Sequence, residues 1–276
     1  MKIRVCGLDF DDIGTEHAVR TALTGGNACF VVTPNALMLE DCARSPEHLR
    51  LLSGASLILP DGGGVVRAAA RLGTPFAHGR VAGIDFGEAL LSACAARGER
   101  VFLLGGADGV AACAAENLRR RFPALTIAGT YWGYFDRDGE ENRNLISVIR
   151  ACRPTVLPVC LGYPAQEEWI ARNLPLLPSV RVAAGLGGSL DVWAGRVRRA
   201  PLLWQKAGLE WAWRMLAEPH RLANLPALVR FSRLCRQMSD ETDGNLHTEA
   251  DFHSTILNNC NENDNFTSKP LSVSKK

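Results

Sequence analysis

The chain has 276 residues, 47% hydrophobic and 22% charged, and its 31 Lys and Arg against 29 Asp and Glu leave a formal net charge of +2. This length can bury a sizeable core in one large domain or two smaller ones, and the balanced charge gives no global electrostatic case for nucleic acid. No apolar run approaches the roughly 18 to 20 residues of a spanning helix, and the start, Met1-Lys2-Ile3-Arg4-Val5-Cys6-Gly7, lacks a signal-peptide apolar stretch, so a cytoplasmic protein is expected.

The nine cysteines sit singly in apolar patterns, without a Cys-x-x-Cys pair or a local His, which argues against zinc and against a disulfide framework. Apolar runs of strand length alternate with amphipathic helical stretches. Strands are expected over 3–8, 29–33, 57–59, 101–104, 125–128, 156–161 and 180–184, with helices between them such as 85–97 and 110–122. Short glycine-rich connections complete the pattern of βαβ units, so the expected fold is α/β with a mostly parallel, Rossmann-like sheet.

The alternation stops at Gly185-Leu186-Gly187-Gly188-Ser189-Leu190-Asp191. Between Arg196 and Arg236 arginines interleave with Trp204, Trp211, Trp213 and several leucines, a composition of helices with one basic and one apolar face suited to an anionic membrane surface. Beyond Ser239 the chain is rich in Asn, Asp, Ser and Thr. The expected division is therefore an α/β domain over 1–195, a basic, membrane-associating helical appendage over 196–238 and a disordered tail over 239–276.

Polar residues collect where the apolar runs end. Thr33-Pro34-Asn35 and Pro60-Asp61-Gly62-Gly63-Gly64 each follow one, and open α/β sheets bind ligands beyond the carboxyl ends of their strands. Asp61 is a candidate general base, or a cap for a helix beginning near Gly63; Thr33 has the pattern of an N-cap before a proline at the first helical position. Arg80, in the loop His78-Gly79-Arg80-Val81-Ala82-Gly83, suits either solvent or bidentate contact with a diphosphate, and Asp85 suits a cap of the following helix.

Gly105 and Gly106 end a strand and allow either close approach to a phosphate or a tight βα turn. The aromatic cluster Tyr131-Trp132-Gly133-Tyr134-Phe135 reads as core packing, with stacking on a base or sugar ring as the alternative. Gln166 can hydrogen-bond a sugar or uracil, and Glu167 falls in a helix's first turn. Glu210 and Arg214 are spaced for a surface ion pair, whereas Arg221 has no such local partner. Arginines beside tryptophans fit a lipid-linked diphosphate at a membrane.

Together these residues resemble the WecG/TagA/CpsF glycosyltransferases, glycosyltransferase family 26, over nearly all of residues 1–236. The resemblance rests on Thr33-Pro34-Asn35, Pro60-Asp61-Gly62-Gly63-Gly64-Val65, Gly79-Arg80-Val81-Ala82-Gly83-Ile84-Asp85, Phe102-Leu103-Leu104-Gly105-Gly106 and Gly133-Tyr134-Phe135. It continues through Leu161-Gly162-Tyr163-Pro164-Ala165-Gln166-Glu167, Gly187-Gly188-Ser189-Leu190-Asp191, Arg199-Ala200-Pro201, Gly208-Leu209-Glu210-Trp211-Ala212-Trp213-Arg214 and Glu218-Pro219-His220-Arg221.

That family implies an inverting, metal-independent transfer from a UDP-sugar, such as UDP-N-acetylmannosamine, to an undecaprenyl-diphosphate-linked acceptor, without a cofactor. It implies Asp61 as base, Thr33, Asn35, Arg80, Gly105, Gly106 and Gln166 around the donor, and Arg214 and Arg221 closing over the lipid diphosphate. It also implies peripheral attachment to the inner face of the plasma membrane and allows a homo-oligomer. Ala165 stands where relatives usually carry Lys. A nicotinamide-dependent oxidoreductase is the competing enzyme class, but the region around Cys6-Gly7-Leu8-Asp9 lacks its glycine fingerprint. A membrane-associated nucleotide-binding scaffold is the non-catalytic alternative.

Overall fold

A computed structural model of the chain describes residues 1–244 other than 207 and 218, with the side chains at 206, 214, 217, 219–221 and 240–244 also outside the description. The chain opens with a hairpin of β1 (Lys2–Val5) and β2 (Leu8–Asp11), antiparallel with Val5 opposite Leu8. Its two-residue turn places Cys6 and Gly7 at φ 49° and 78°, and two successive left-handed residues are what a tight hairpin turn needs. The single parallel strand expected over 3–8 is thus corrected to a hairpin outside the main sheet. Alternate residues Ile3, Val5, Leu8 and Phe10 are buried beneath it.

The body follows as α1 (Thr15–Thr24), β3 (Cys29–Val32), α2 (Ala36–Arg44), α3 (Pro46–Ser53), β4 (Leu57–Ile58), α4 (Gly63–Arg71) and α5 (Gly83–Arg97). Next come β5 (Arg100–Gly105), α6 (Val110–Arg121), β6 (Thr126–Tyr131), α7 (Glu140–Cys152), β7 (Val156–Cys160), α8 (Ala165–Asn173), β8 (Val182–Gly185) and α9 (Ser189–Trp193). The six strands β3 to β8 form one parallel sheet in the order β4-β3-β8-β7-β5-β6. From the adjacent strands β7 and β5 the chain departs in opposite directions, to β8 and to β6. Such a switch point opens a crevice at the carboxyl edge of a parallel sheet.

Both faces of the sheet are covered, which is why its strands read as unbroken apolar runs. Along β5, Val101 and Leu103 join one buried cluster with α1, α5, α6 and α9. Phe102 and Leu104 point the other way, into a cluster that takes in the hairpin and residues of α2, α4, α7 and α8.

The C-terminal stretch forms α10 (Leu202–Lys206), α11 (Glu210–Ala217), a 3-10 turn at Pro219–Asn224 and α12 (Leu225–Gly244). Helix α12 runs past position 238, and residues 245–276, most of the expected tail, lie outside the described residues. Its Phe231 and Cys235, 5% and 1% exposed, belong to the same buried cluster as Val65 and Ala68 of α4 and Met38 and Leu39 of α2. Arg230 adds an ion pair with Glu40 of α2 at 2.6 Å. The middle of α12 is therefore packed into the α/β core.

Removing the Phe231 ring leaves a cavity between α12 and α4. Phe231→Ala is expected to cost about 3–5 kcal/mol in denaturant unfolding, and an unchanged midpoint would show that α12 contributes no core.

Candidate active site

The sequence places polar groups at the ends of β3 and β4, and backbone hydrogen bonds lock those ends together. Asp61 N–H donates to Pro34 O at 3.1 Å, Val81 N–H to Pro60 O at 2.9 Å and Leu59 N–H to Val32 O at 3.0 Å. Asn35, rather than Thr33, caps α2: its side-chain oxygen accepts from Leu37 N–H at 3.0 Å and Met38 N–H at 3.3 Å. This corrects the N-cap expected at Thr33, and leaves Pro34 before the cap instead of inside the helix.

Asp61 is a cap as well, though of a different helix from the one anticipated. Helix α4 starts behind Gly62 without any side-chain cap, while an Asp61 carboxylate oxygen accepts the N–H of Gly83, the first residue of α5, at 3.2 Å. Gly83 also faces Thr33, where an added Cβ would lie only 2.7 Å from Thr33 Oγ1. Helix α5 can begin this close only because Gly83 has no side chain. One glycine thus gathers Thr33 and Asp61, and an added Cβ on Gly62 would sit 3.9 Å from Asn35 Cβ.

Part of the Asp61 surface reaches solvent, yet protein surrounds its carboxyl. Burial has the largest influence and raises the pKa from 3.8 to about 6. The Gly83 N–H and the Arg80 charge oppose that rise, Glu210 reinforces it, and the Gly62 N–H opposes it. A carboxylate poised there accepts a proton readily near neutral pH.

The Arg80 loop is held from behind by Asp12, a buried side chain that sequence reading passed over. Its carboxylate accepts the backbone N–H groups of Ala77 and His78, each at 3.0 Å. Arg80 itself is ion-paired with Glu210 of α11, so it is neither simply solvated nor open. Asp85 lies inside the first turn of α5 and does not cap it; both its oxygens accept from the Arg199 guanidinium, at 2.5 and 2.8 Å. Glu210 was expected to pair with its helical neighbour Arg214. Among the described side chains it pairs with Arg80 and Arg199; the expected pair with Arg214 falls on a side chain outside the described residues, and the side chain of Arg221 lies outside them as well.

Gly105 and Gly106 have a packing explanation. At φ 132°, Gly105 crosses the end of β7 so closely that a Cβ would fall 2.2 Å from Cys160 O, and the Gly106 N–H donates to that same carbonyl at 3.2 Å. Gly106 O in turn accepts Gly133 N–H at 2.8 Å. The aromatic cluster beyond β6 divides: Phe135 is buried with its ring edge-on to Tyr131, while Trp132 and Tyr134 are exposed.

Gln166 is buried, with its amide oxygen accepting Gly187 N–H at 2.9 Å and its nitrogen donating to Glu167 at 2.8 Å. It therefore ties α8 to the turn after β8. Glu167 is fully buried; burial lifts its pKa to about 7, against the Gln166 hydrogen bond, and its second oxygen has no hydrogen-bond partner among the described residues.

Helices α4, α5, α6, α8 and α9 all start without a hydrogen bond from the side chain of their own N-cap residue. Backbone N–H groups and positive dipole ends consequently converge on the carboxyl edge, an environment suited to anions. Among the described residues, no three His, Cys, Asp or Glu side chains group so as to hold a metal ion.

The model of the Glycosyl transferase WecG/TagA/CpsF family matches residues 3–241, from the hairpin to α12. The chain belongs to this family. A similar relative, an N-acetylglucosaminyldiphosphoundecaprenol N-acetyl-beta-D-mannosaminyltransferase of Bacillus spizizenii, is 36% identical over 215 residues, 78% of this chain and 81% of the relative. A protein of the same description from Staphylococcus aureus is 33% identical over 235 residues, 83% of this chain and 90% of that one. As a WecG/TagA/CpsF member the chain is a glycosyltransferase, and its Pro60-Asp61-Gly62 and Gly79-Arg80 segments meet at Gly83.

Local sequence signals could locate Asp61 and Arg80 in this WecG/TagA/CpsF protein. They could not show that Arg199 and Glu210 join them from more than 100 residues away. The raised Asp61 pKa has a consequence for stability. Between about pH 4 and pH 6 the folded protein holds a proton that the unfolded chain has released, so stability falls as pH rises through this window. Asp61→Asn should match wild type below pH 4 and exceed it by about 1–3 kcal/mol above pH 6. Thermal melts at both pH values test this, and equal stability at high pH would contradict the burial of the charge.

Proposed function

We propose that this glycosyltransferase moves an N-acetylmannosamine-type sugar from a UDP-sugar to a sugar on an undecaprenyl-diphosphate carrier, with inversion and without a metal or other cofactor. The observation that carries the reading is the single carboxylate of Asp61, fixed on Gly83 N–H, raised to about 6 and placed beside Arg80. The names of the relatives support the acceptor and the transferred sugar.

An inverting displacement needs one base. The Asp61 carboxylate takes the proton of the acceptor hydroxyl as that oxygen bonds to the anomeric carbon, while the bond from that carbon to the diphosphate oxygen breaks on the opposite face. Charge gathering on the departing UDP meets fixed donors, the helix starts at the carboxyl edge and the Arg80 guanidinium, which require no reorganisation during the step. Thr33 and Asn35 flank the base from β3, and Gln166 shapes the turn after β8.

The acceptor's lipid directs attention to the C-terminal helices. Leu202, Leu203 and Leu216 are more than 70% exposed, with Trp211 and Leu222 also exposed nearby in the chain. An apolar surface of this kind among arginines fits the interfacial layer of an anionic membrane. No described helix is long and apolar enough to cross one. On this reading the protein works at the inner face of the plasma membrane as a peripheral enzyme.

Two measurements check the proposal. With UDP-N-acetylmannosamine and a lipid-diphosphate-linked N-acetylglucosamine, Asp61→Asn should lower turnover by about 10²- to 10⁴-fold; undiminished UDP release would end the assignment of Asp61 as the base. Replacing Leu202, Leu203 and Leu216 together by Ser should weaken co-sedimentation with phosphatidylglycerol vesicles by about tenfold per leucine inserted. Unchanged sedimentation would remove these side chains from the membrane contact.

A further inference from the structure

Four charges drawn from distant parts of the chain close on one another beside Asp61. Glu210 of α11 uses both carboxylate oxygens: one accepts from Arg80 Nη1, the other from Arg199 Nε at 3.3 Å. Arg199 is meanwhile forked onto Asp85, and Arg80 stands 4.0 Å from the same carboxylate. The group is balanced, two cations against two anions, and Glu210 and Arg80 are each less than one-fifth exposed. Pairs this enclosed are screened far less than surface pairs.

The position of Glu210 fixes how α11 lies over the site. Just ahead of it, the Gly208 carbonyl packs on the start of α4, where a Cβ on Gly63 would come within 3.1 Å of it. Among the contacts of the described residues that hold this stretch down are the backbone on Gly63 and the carboxylate on the two arginines. Removing the carboxylate leaves the first and unfastens the second.

We propose that Glu210 is a positioning residue for sugar transfer, bridging Arg80 and Arg199 so that the seating of α11 sets the charge felt by the base. The inference rests on the reading of Asp61 as that base. Among the described residues, the charged groups facing Asp61 are Arg80, from the loop before α5, and Glu210, from α11, beside the N–H groups of Gly62 and Gly83. Glu210 pushes the Asp61 pKa up and Arg80 holds it down. Arg199 neutralises part of Glu210, and so governs how strongly that push is felt.

The pH dependence of kcat/KM for the same donor and lipid-linked acceptor tests this by sign. Glu210→Gln keeps the shape and an acceptor for Arg80 while removing the push, and should move the acid limb to lower pH. Arg199→Gln frees the Glu210 charge and should move it to higher pH. Glu210→Asp retains the charge and should restore the wild-type limb even where kcat falls. A purely structural role lowers activity without opposite displacements, so coincident limbs, or limbs moving the same way, would overturn the proposal. If Glu210→Gln does not fold, as judged by its melt, Arg199→Gln and Glu210→Asp still decide by the same signs. A wild-type limb that persists in the residual activity of Asp61→Asn would instead overturn the identity of the base.

Discussion

The hydrogen bond from Gly83 N–H to the Asp61 carboxylate is the constraint on which the site depends. It joins the chain beyond β4 to the start of α5, across residues 62–82, which include helix α4. Because Gly83 also lies against Thr33, the same residue fixes the spacing between the β3 and β4 ends. The chain secures the carboxylate proposed as the base by having it perform the work of a helix cap. Its position is then as well determined as the helix itself, which is how a site gains precision from the elements that carry it.

That arrangement has an energetic cost. Surrounding a carboxylate with protein disfavours its charged form, and the Gly83 and Gly62 N–H groups and the nearby guanidinium that favour the charge do not fully cancel the burial. Glu167, fully buried with an oxygen unpartnered among the described residues, repeats the pattern on the other side of β8. Both lie at the carboxyl edge, while the apolar clusters on the two sheet faces supply stability elsewhere. Separation of the two tasks is a common property of enzymes, whose sites hold groups that a stability optimum would exclude.

Much of this architecture is legible from sequence because a doubly covered parallel sheet leaves a strong trace. Val156 to Cys160 and Cys29 to Val32 read as strands since every residue in each is buried. The hairpin was less legible: a cysteine in the left-handed region is uncommon, and Cys6 carries no local signal that the chain reverses there. Capping failed for a related reason, since both Thr33 and Asn35 are good caps and only the backbone path decides between them. Asp61, Arg80 and the appendage stood out by residue type at strand and loop ends. The partners of Glu210 and Asp85 did not, because an i to i+4 rule sees one helix while these pairs span the sheet edge. Gly105 and Gly106 are required by the close approach of their backbone to the Cys160 carbonyl, a long-range contact that a glycine pair at a strand end does not announce.

The docking of α12 bears on the order in which the protein can become active. This helix is the last of the described elements to leave the ribosome, yet it meets the first: Cys6 Sγ lies 3.8 Å from Met238 Sδ, and Phe231 fills space above α4. The stretch that covers Asp61 precedes α12 in the chain and is held at its far end by it. A nascent chain with its whole parallel sheet already formed therefore still lacks the anchor for the roof of its site. If Asp61 is the base as proposed, a growing polypeptide gains its complete site only once the last of the described helices has been made and docked.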